Sequence, residues 1–142
     1  MRTFLLAAPL AVLLLGAGGS AQAPAPADMV RHGDLEWREI VPGVSFASAY
    51  GDWEREAHGK FVRVDSGTNV ALHTHTQPYH AVLISGRLAN NFADGTRLEV
   101  APGDYWLMAA GRPHGHDCLS EEPCLAYAYG DGRWDIALYE AE

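Results

Sequence analysis

The chain has 142 residues, enough for one domain with one core, and a formal net charge of −8 at pH 7. Its 10 Lys and Arg face 18 Asp and Glu and form no basic cluster, so phosphate backbones and anionic lipid headgroups are repelled. Nucleic acid and membrane surfaces are therefore excluded as expected partners.

The opening "MRTFLLAAPLAVLLLGAGGSAQA", residues 1–23, places Arg2 before an apolar block from Phe4 to Leu15 and then turns to small residues. That is the layout of a secretory signal peptide. The apolar run falls short of the about 20 residues a spanning helix needs. Cleavage is expected after Ala21, Ala23 or Ala27, with no Cys nearby to carry a lipid. The mature protein is then expected in the periplasm or secreted, free of the membrane. Its net charge moves from −8 to −9, because one cation, Arg2, leaves. Residues 24–34 read as an extended Pro/Ala-rich leader without core-forming residues.

Residues 35–142 read as short strands between turn signals. "WREIV" and "VSFASAY" are separated by "PG". The polar, Gly-bounded segment 51–59 is expected to be a loop, with His58 in it, and His32 falls in a loop as well. "KFVRV", "VALHTH", "YHAVLIS", "RLEV", "YWLMA", "CLAYAY" and "WDIALY" follow, and His114 opens a further strand. These runs are rich in Val, Ile, Tyr and Trp, and turn residues recur at close intervals. The pattern predicts one all-β sandwich or barrel, without internal repeat. Tyr105, Trp106 and Met108 are expected in its wall or core. Cys118 and Cys124 lie close together in an exported chain, so a disulfide is expected. Closing so short a loop stabilises by about 2 kcal/mol in the chain-entropy picture.

Five of the seven histidines fall between positions 73 and 116. His73 and His75 are two apart in a strand and share a face. Two neutral imidazoles on one face make a bidentate start for Zn, Fe, Mn, Ni or Cu. His114 is the candidate third ligand. His116 shares its parity and is expected beside the site or on the surface. Asp104 and Asp117 are expected as solvated turn residues.

"GTNVALHTHTQPYHAVLISG" is similar to the first cupin signature, G-x5-H-x-H-x3,4-E-x6-G, with Gly67, His73, His75 and Gly86 on its spacing. "GDYWLMAAGRPHGHDC" resembles the second, G-x5-P-x-G-x2-H-x3-N, with Gly103, Gly111 and His114 matching. Ala109 and Cys118 stand where that pattern has Pro and Asn. "PGDYW" and the late cysteine pair further resemble a group of secreted single-domain cupins, the DUF4437-like group. The resemblance implies a single jelly-roll β-barrel, the double-stranded β-helix of RmlC-like proteins, with a divalent transition metal held by His73, His75 and His114. The glutamate of the first signature is missing. Its slot falls on Tyr79 or on His80, according to the count. Ligand chemistry favours His80, because imidazole binds neutral while a phenol must first lose a proton. A bulge at Pro78 could turn His80 inward. Tyr79 would then offer a hydroxyl beside the metal or facing substrate, standing in for a carboxylate base.

Without a carboxylate, an imidazole set around a divalent ion carries charge +2 and favours an anionic or easily deprotonated small molecule. Two functions are consistent with this site. One is a metal-dependent enzyme with dioxygenase-like or lyase/isomerase-like chemistry on a small molecule. The other is a non-catalytic sensor that binds a small molecule or a metal. Pairing of the strands around "EIVPGVSFASAY" would give a homodimer.

Overall fold

Tyr-, Val- and Ile-rich strands separated by glycine turns assemble into two antiparallel sheets. The structure is a computed structural model describing residues 29–140. The expected signal peptide, its cleavage sites and residues 24–28 of the leader lie outside the described residues. The rest of the leader contains one 3-10 turn, His32–Asp34.

Eleven strands follow in chain order: β1 Arg38–Val41, β2 Val44–Tyr50, β3 His58–Val64, β4 Asn69–Thr74, β5 Tyr79–Ser85, β6 Leu88–Phe92, β7 Arg97–Val100, β8 Tyr105–Met108, β9 His114–Cys118, β10 Cys124–Gly130 and β11 Ala137–Leu138. One sheet has the order β1-β2-β3-β10-β5-β8 and the other β11-β4-β9-β6-β7. The predicted all-β jelly roll is therefore present, as two facing sheets.

Three details differ from the sequence reading. β6, "LANNF", is absent from the predicted strands, and its two asparagines are residues of high turn propensity. "WDIALY" contributes only the two residues of β11. His58 and Gly59 belong to β3 rather than to the preceding loop, which ends at Ala57.

Strand alternation sorts the side chains. On β3, Lys60, Val62 and Val64 line the interior, while Phe61 packs edge-on against Tyr127 on the outside. On β10, Cys124, Ala126 and Ala128 line the same interior. The buried core gathers Val44, Phe46, Val64, Leu83, Leu88 and Val100 with both cysteines. Cys118 ends β9 and Cys124 begins β10, so their disulfide ties one sheet to the other. Tyr105, expected in the wall or core, is instead 58% exposed, whereas Met108 is buried.

Candidate metal centre and cavity

The histidines converge because β4 and β9 pair in the second sheet. His73 lies directly opposite His114, and a register shift between Val70 and His73 interrupts the ladder. That irregularity lets Val70 and His73 both line the interior although they are three residues apart. Gly115 makes the close approach possible, since a Cβ there would stand 2.4 Å from the Val70 carbonyl oxygen.

His73, His114 and His116 form a compact group whose ligand atoms all lie within 4.8 Å of one another. His75 is adjacent, its ring 4.9 Å from that of His73 and 5.1 Å from that of His114. The structure thus places His73, His75 and His114 close together. It also adds His116, which shares a face with His114 on β9 and was expected beside the site or on the surface.

Every one of the four rings is fixed in the same sense. Nδ1 of His73 meets the Ala71 carbonyl at 2.8 Å, and Nδ1 of His114 meets that of Arg112 at 2.8 Å. Nδ1 of His75 meets the Asp135 carbonyl, and Nδ1 of His116 meets Asn90 Oδ1 at 2.8 Å. A carbonyl oxygen accepts, so each Nδ1 carries the proton and each Nε2 keeps its lone pair. The Asp135 segment is itself anchored, its carboxylate accepting from Thr76 N and Oγ1. Burial holds the imidazoles neutral. It lowers His75 to about 4 and His114 to about 3, and takes His73 down and His116 well below its ordinary range. Neutral rings with a free Nε2 fit a divalent transition metal, and the group could hold one.

His80 does not join them. Among the alternatives left open by the missing glutamate, the slot belongs to Tyr79. β5 runs regularly against β8, with Tyr79 opposite Met108 and His80 opposite Leu107, so the two side chains point to opposite faces. The His80 ring stacks outside on Tyr129, 4.6 Å between centroids and 7° between planes, and its Nδ1 lies 2.6 Å from the Tyr105 hydroxyl. No bulge at Pro78 reverses this. Tyr79 turns inward, with its hydroxyl 3.3 Å from Nε2 of both His114 and His116. The phenol carries one O–H and so donates to one of these two lone pairs at a time. Burial raises the phenol above its ordinary range, which keeps the proton on it.

The carboxylates are elsewhere. Asp117 pairs with Arg97 and Asn69, and Asp104 accepts from Ala101 N, so neither orients an imidazole.

The cavity beside the histidines has a volume of about 80 Å³, several times the roughly 15 Å³ that one water requires. Its wall is mostly apolar, with Trp106 and Trp134 among its aromatic members. Trp106 Nε1 is buried and points its N–H toward the Tyr79 hydroxyl. Two residues there were missed by the sequence reading. Lys60 reaches into this wall and is 3% exposed, and His58 behind it is 2% exposed. The Lys60 ammonium lies 4.5 Å from the Phe46 ring centroid and 4.7 Å from that of Trp134. It donates to His58 Nε2 at 3.1 Å. His58 Nδ1 donates toward the Glu56 and Gly132 carbonyls, at 3.0 and 3.1 Å. Burial lowers Lys60 to about 7, and burial followed by the neighbouring Lys60 lowers His58. The available signal was parity, because Lys60 shares its strand face with Val62 and Val64.

Residues 60–129 match the cupin domain family, and they contain all four histidines, Tyr79 and Lys60. The chain is a cupin. No curated protein matches this cupin in sequence. In fold it is similar to the polyketide cyclase RemF from Streptomyces resistomycificus, at 17% identity over 80% of this chain and 86% of that one, with a TM-score of 0.68. KdgF from a Halomonas species aligns at 16% identity over 72% and 94% of the two chains, with a TM-score of 0.61. A sugar phosphate isomerase of the cupin superfamily from Silicibacter pomeroyi aligns at 18% over 80% and 82%, with a TM-score of 0.62. The match describes cupins at large and is coarser than the DUF4437-like group.

Proposed function

We propose that this cupin is an exported, metal-dependent enzyme acting on a small molecule, by lyase/isomerase-like or dioxygenase-like chemistry. The observation that carries this reading is the uniform tautomer of His73, His75, His114 and His116, which leaves four Nε2 lone pairs beside a largely apolar cavity. His73, His114 and His116 form the compact set, with His75 next to it. A bound divalent ion would act as a Lewis acid or lower the pKa of bound water. The chain's own groups do the rest. Tyr79 holds a proton at its hydroxyl, within reach of the same space, and can donate it to a developing oxyanion. Trp106 and Trp134 give that space apolar walls. That similar folds include a polyketide cyclase and a sugar phosphate isomerase is in keeping with such chemistry.

The test is elemental analysis of the purified protein and of the His73→Ala and His114→Ala variants. One equivalent of a divalent transition metal is expected in the wild type, and its loss in both variants. Wild-type metal content in both would sink the reading. A second reading, a non-catalytic binding cupin, is favoured by one feature. The glutamate slot of the signature holds Tyr79, so no carboxylate base stands there. Tight binding of one compound without turnover or oxygen uptake, across a panel of diketones, catechols and sugar acids, would select it. Homodimer formation through the early strands belongs to either reading, and size measurement in solution checks it.

A further inference from the structure

Lys60 is a cation site without a counter-ion. Among the described residues no carboxylate lies within salt-bridge distance of it. Its three N–H donors meet one acceptor, His58 Nε2, and its other surroundings are the faces of Phe46 and Trp134. Those faces favour a cation over a neutral amine. His58 is locked by two backbone carbonyls with its lone pair toward Lys60, so it supports the ammonium and cannot neutralise it. Trp134 connects the two parts of the cavity. Its ring lies 4.7 Å from Lys60 Nζ and 5.5 Å, between centroids, from His75.

We propose that Lys60 anchors the carboxylate of a small, otherwise apolar monoanion that occupies the cavity beside the histidines. One cation matches one negative charge. The mostly apolar lining takes a hydrocarbon or aromatic body, and a second charge on the ligand would find no second ammonium there. Burial weakens the hold of Lys60 on its proton. An incoming carboxylate supplies the missing charge and accepts the free N–H donors. This deepens the proposed function, on which it rests only for placing the ligand in this cavity.

The test uses matched pairs that differ in charge and hardly in shape: benzoate with benzamide, and butyrate with butyramide. Affinity is measured by calorimetry and tryptophan fluorescence on the protein, both as purified and after chelation of metal. Each carboxylate is expected to bind about tenfold or more tightly than its amide. That preference persists in metal-free protein, which separates Lys60 from a metal as its source. Lys60→Met, checked for a cooperative melting transition at or above that of the wild type, brings each pair to parity. Equal affinity within the pairs in the metal-free wild type, or binding of none of the four probes, overturns the proposal without needing the variant. Persistence of the preference in Lys60→Met overturns it as well. A protein that lacks metal yet keeps the Lys60-dependent preference would sink the metallo-enzyme reading and leave this inference standing.

Discussion

Tyr79 and His80 are neighbours in sequence with opposite surroundings, and each predicts a different outcome. His80 stacks on Tyr129 outside the sheet, so His80→Ala is expected to keep the wild-type metal stoichiometry, as read by elemental analysis. Tyr79→Phe removes the hydroxyl shared by His114 and His116. It should leave metal content near wild type and depress turnover, once a substrate is known, by about 10²-fold or more. Lys60 governs a pH dependence. Its proton affinity drops from 10.5 in the open chain to about 7 in the fold. Between those values the unfolded chain holds a proton that the folded chain does not, so stability rises with pH across that window. Below pH 7 both states are protonated and the cost of the buried ammonium is fully present. Lys60→Met should therefore stabilise the protein at pH 7 by about 1–4 kcal/mol, and the gain should shrink toward pH 10 in denaturant titrations. At this scale the sequence was legible where a residue type has one common use. His73, His75 and His114 could be read from spacing. Lys60 could not, because a lysine in a strand is normally solvated and its alternation with Val62 and Val64 was the sole hint.

At the scale of elements, the site depends on how tightly β4 and β9 can approach. Gly115 sits between His114 and His116 with no room for a side chain, and backbone rather than a mobile side chain blocks it. Gly115→Ala is expected to cost about 1–3 kcal/mol and to spread the strand pair. Lower melting temperature together with weakened metal retention would show it. Equal metal retention at lower stability would place the strain away from the histidines. The strands themselves were readable from β-branched and aromatic runs, and the glycine turns marked their ends. β6 escaped because Asn90 and Asn91 carry turn propensity, and its pairing with β9 on one side and β7 on the other makes it a strand. Asn90 is buried there to hold His116, a use that no local pattern announces. The start of β3 escaped for a related reason. His58 follows a polar loop and is buried by Gly132 and Lys60, partners distant in sequence or hidden by the fold.

At the scale of the molecule, the disulfide joins the sheets next to the core. Its reduction in solution should lower stability by about 2 kcal/mol, measured as a drop in melting temperature with and without reductant, with no change when Cys118 and Cys124 are both replaced by Ala. The order of the larger sheet has a different consequence, one of timing. β10 lies between β3 and β5, pairing His58 with Gly130 on one side and His80 with Tyr129 on the other. Until residues 124–130 arrive, β3 and β5 each present an open edge, and the walls that carry Lys60 and Tyr79 cannot close on each other. Non-local pairings of this kind fold slowly and expose sticky edges on the way. A chain emerging amino-terminus first therefore stays unfinished through most of its length, and the last strand but one completes both sides of the pocket in a single event.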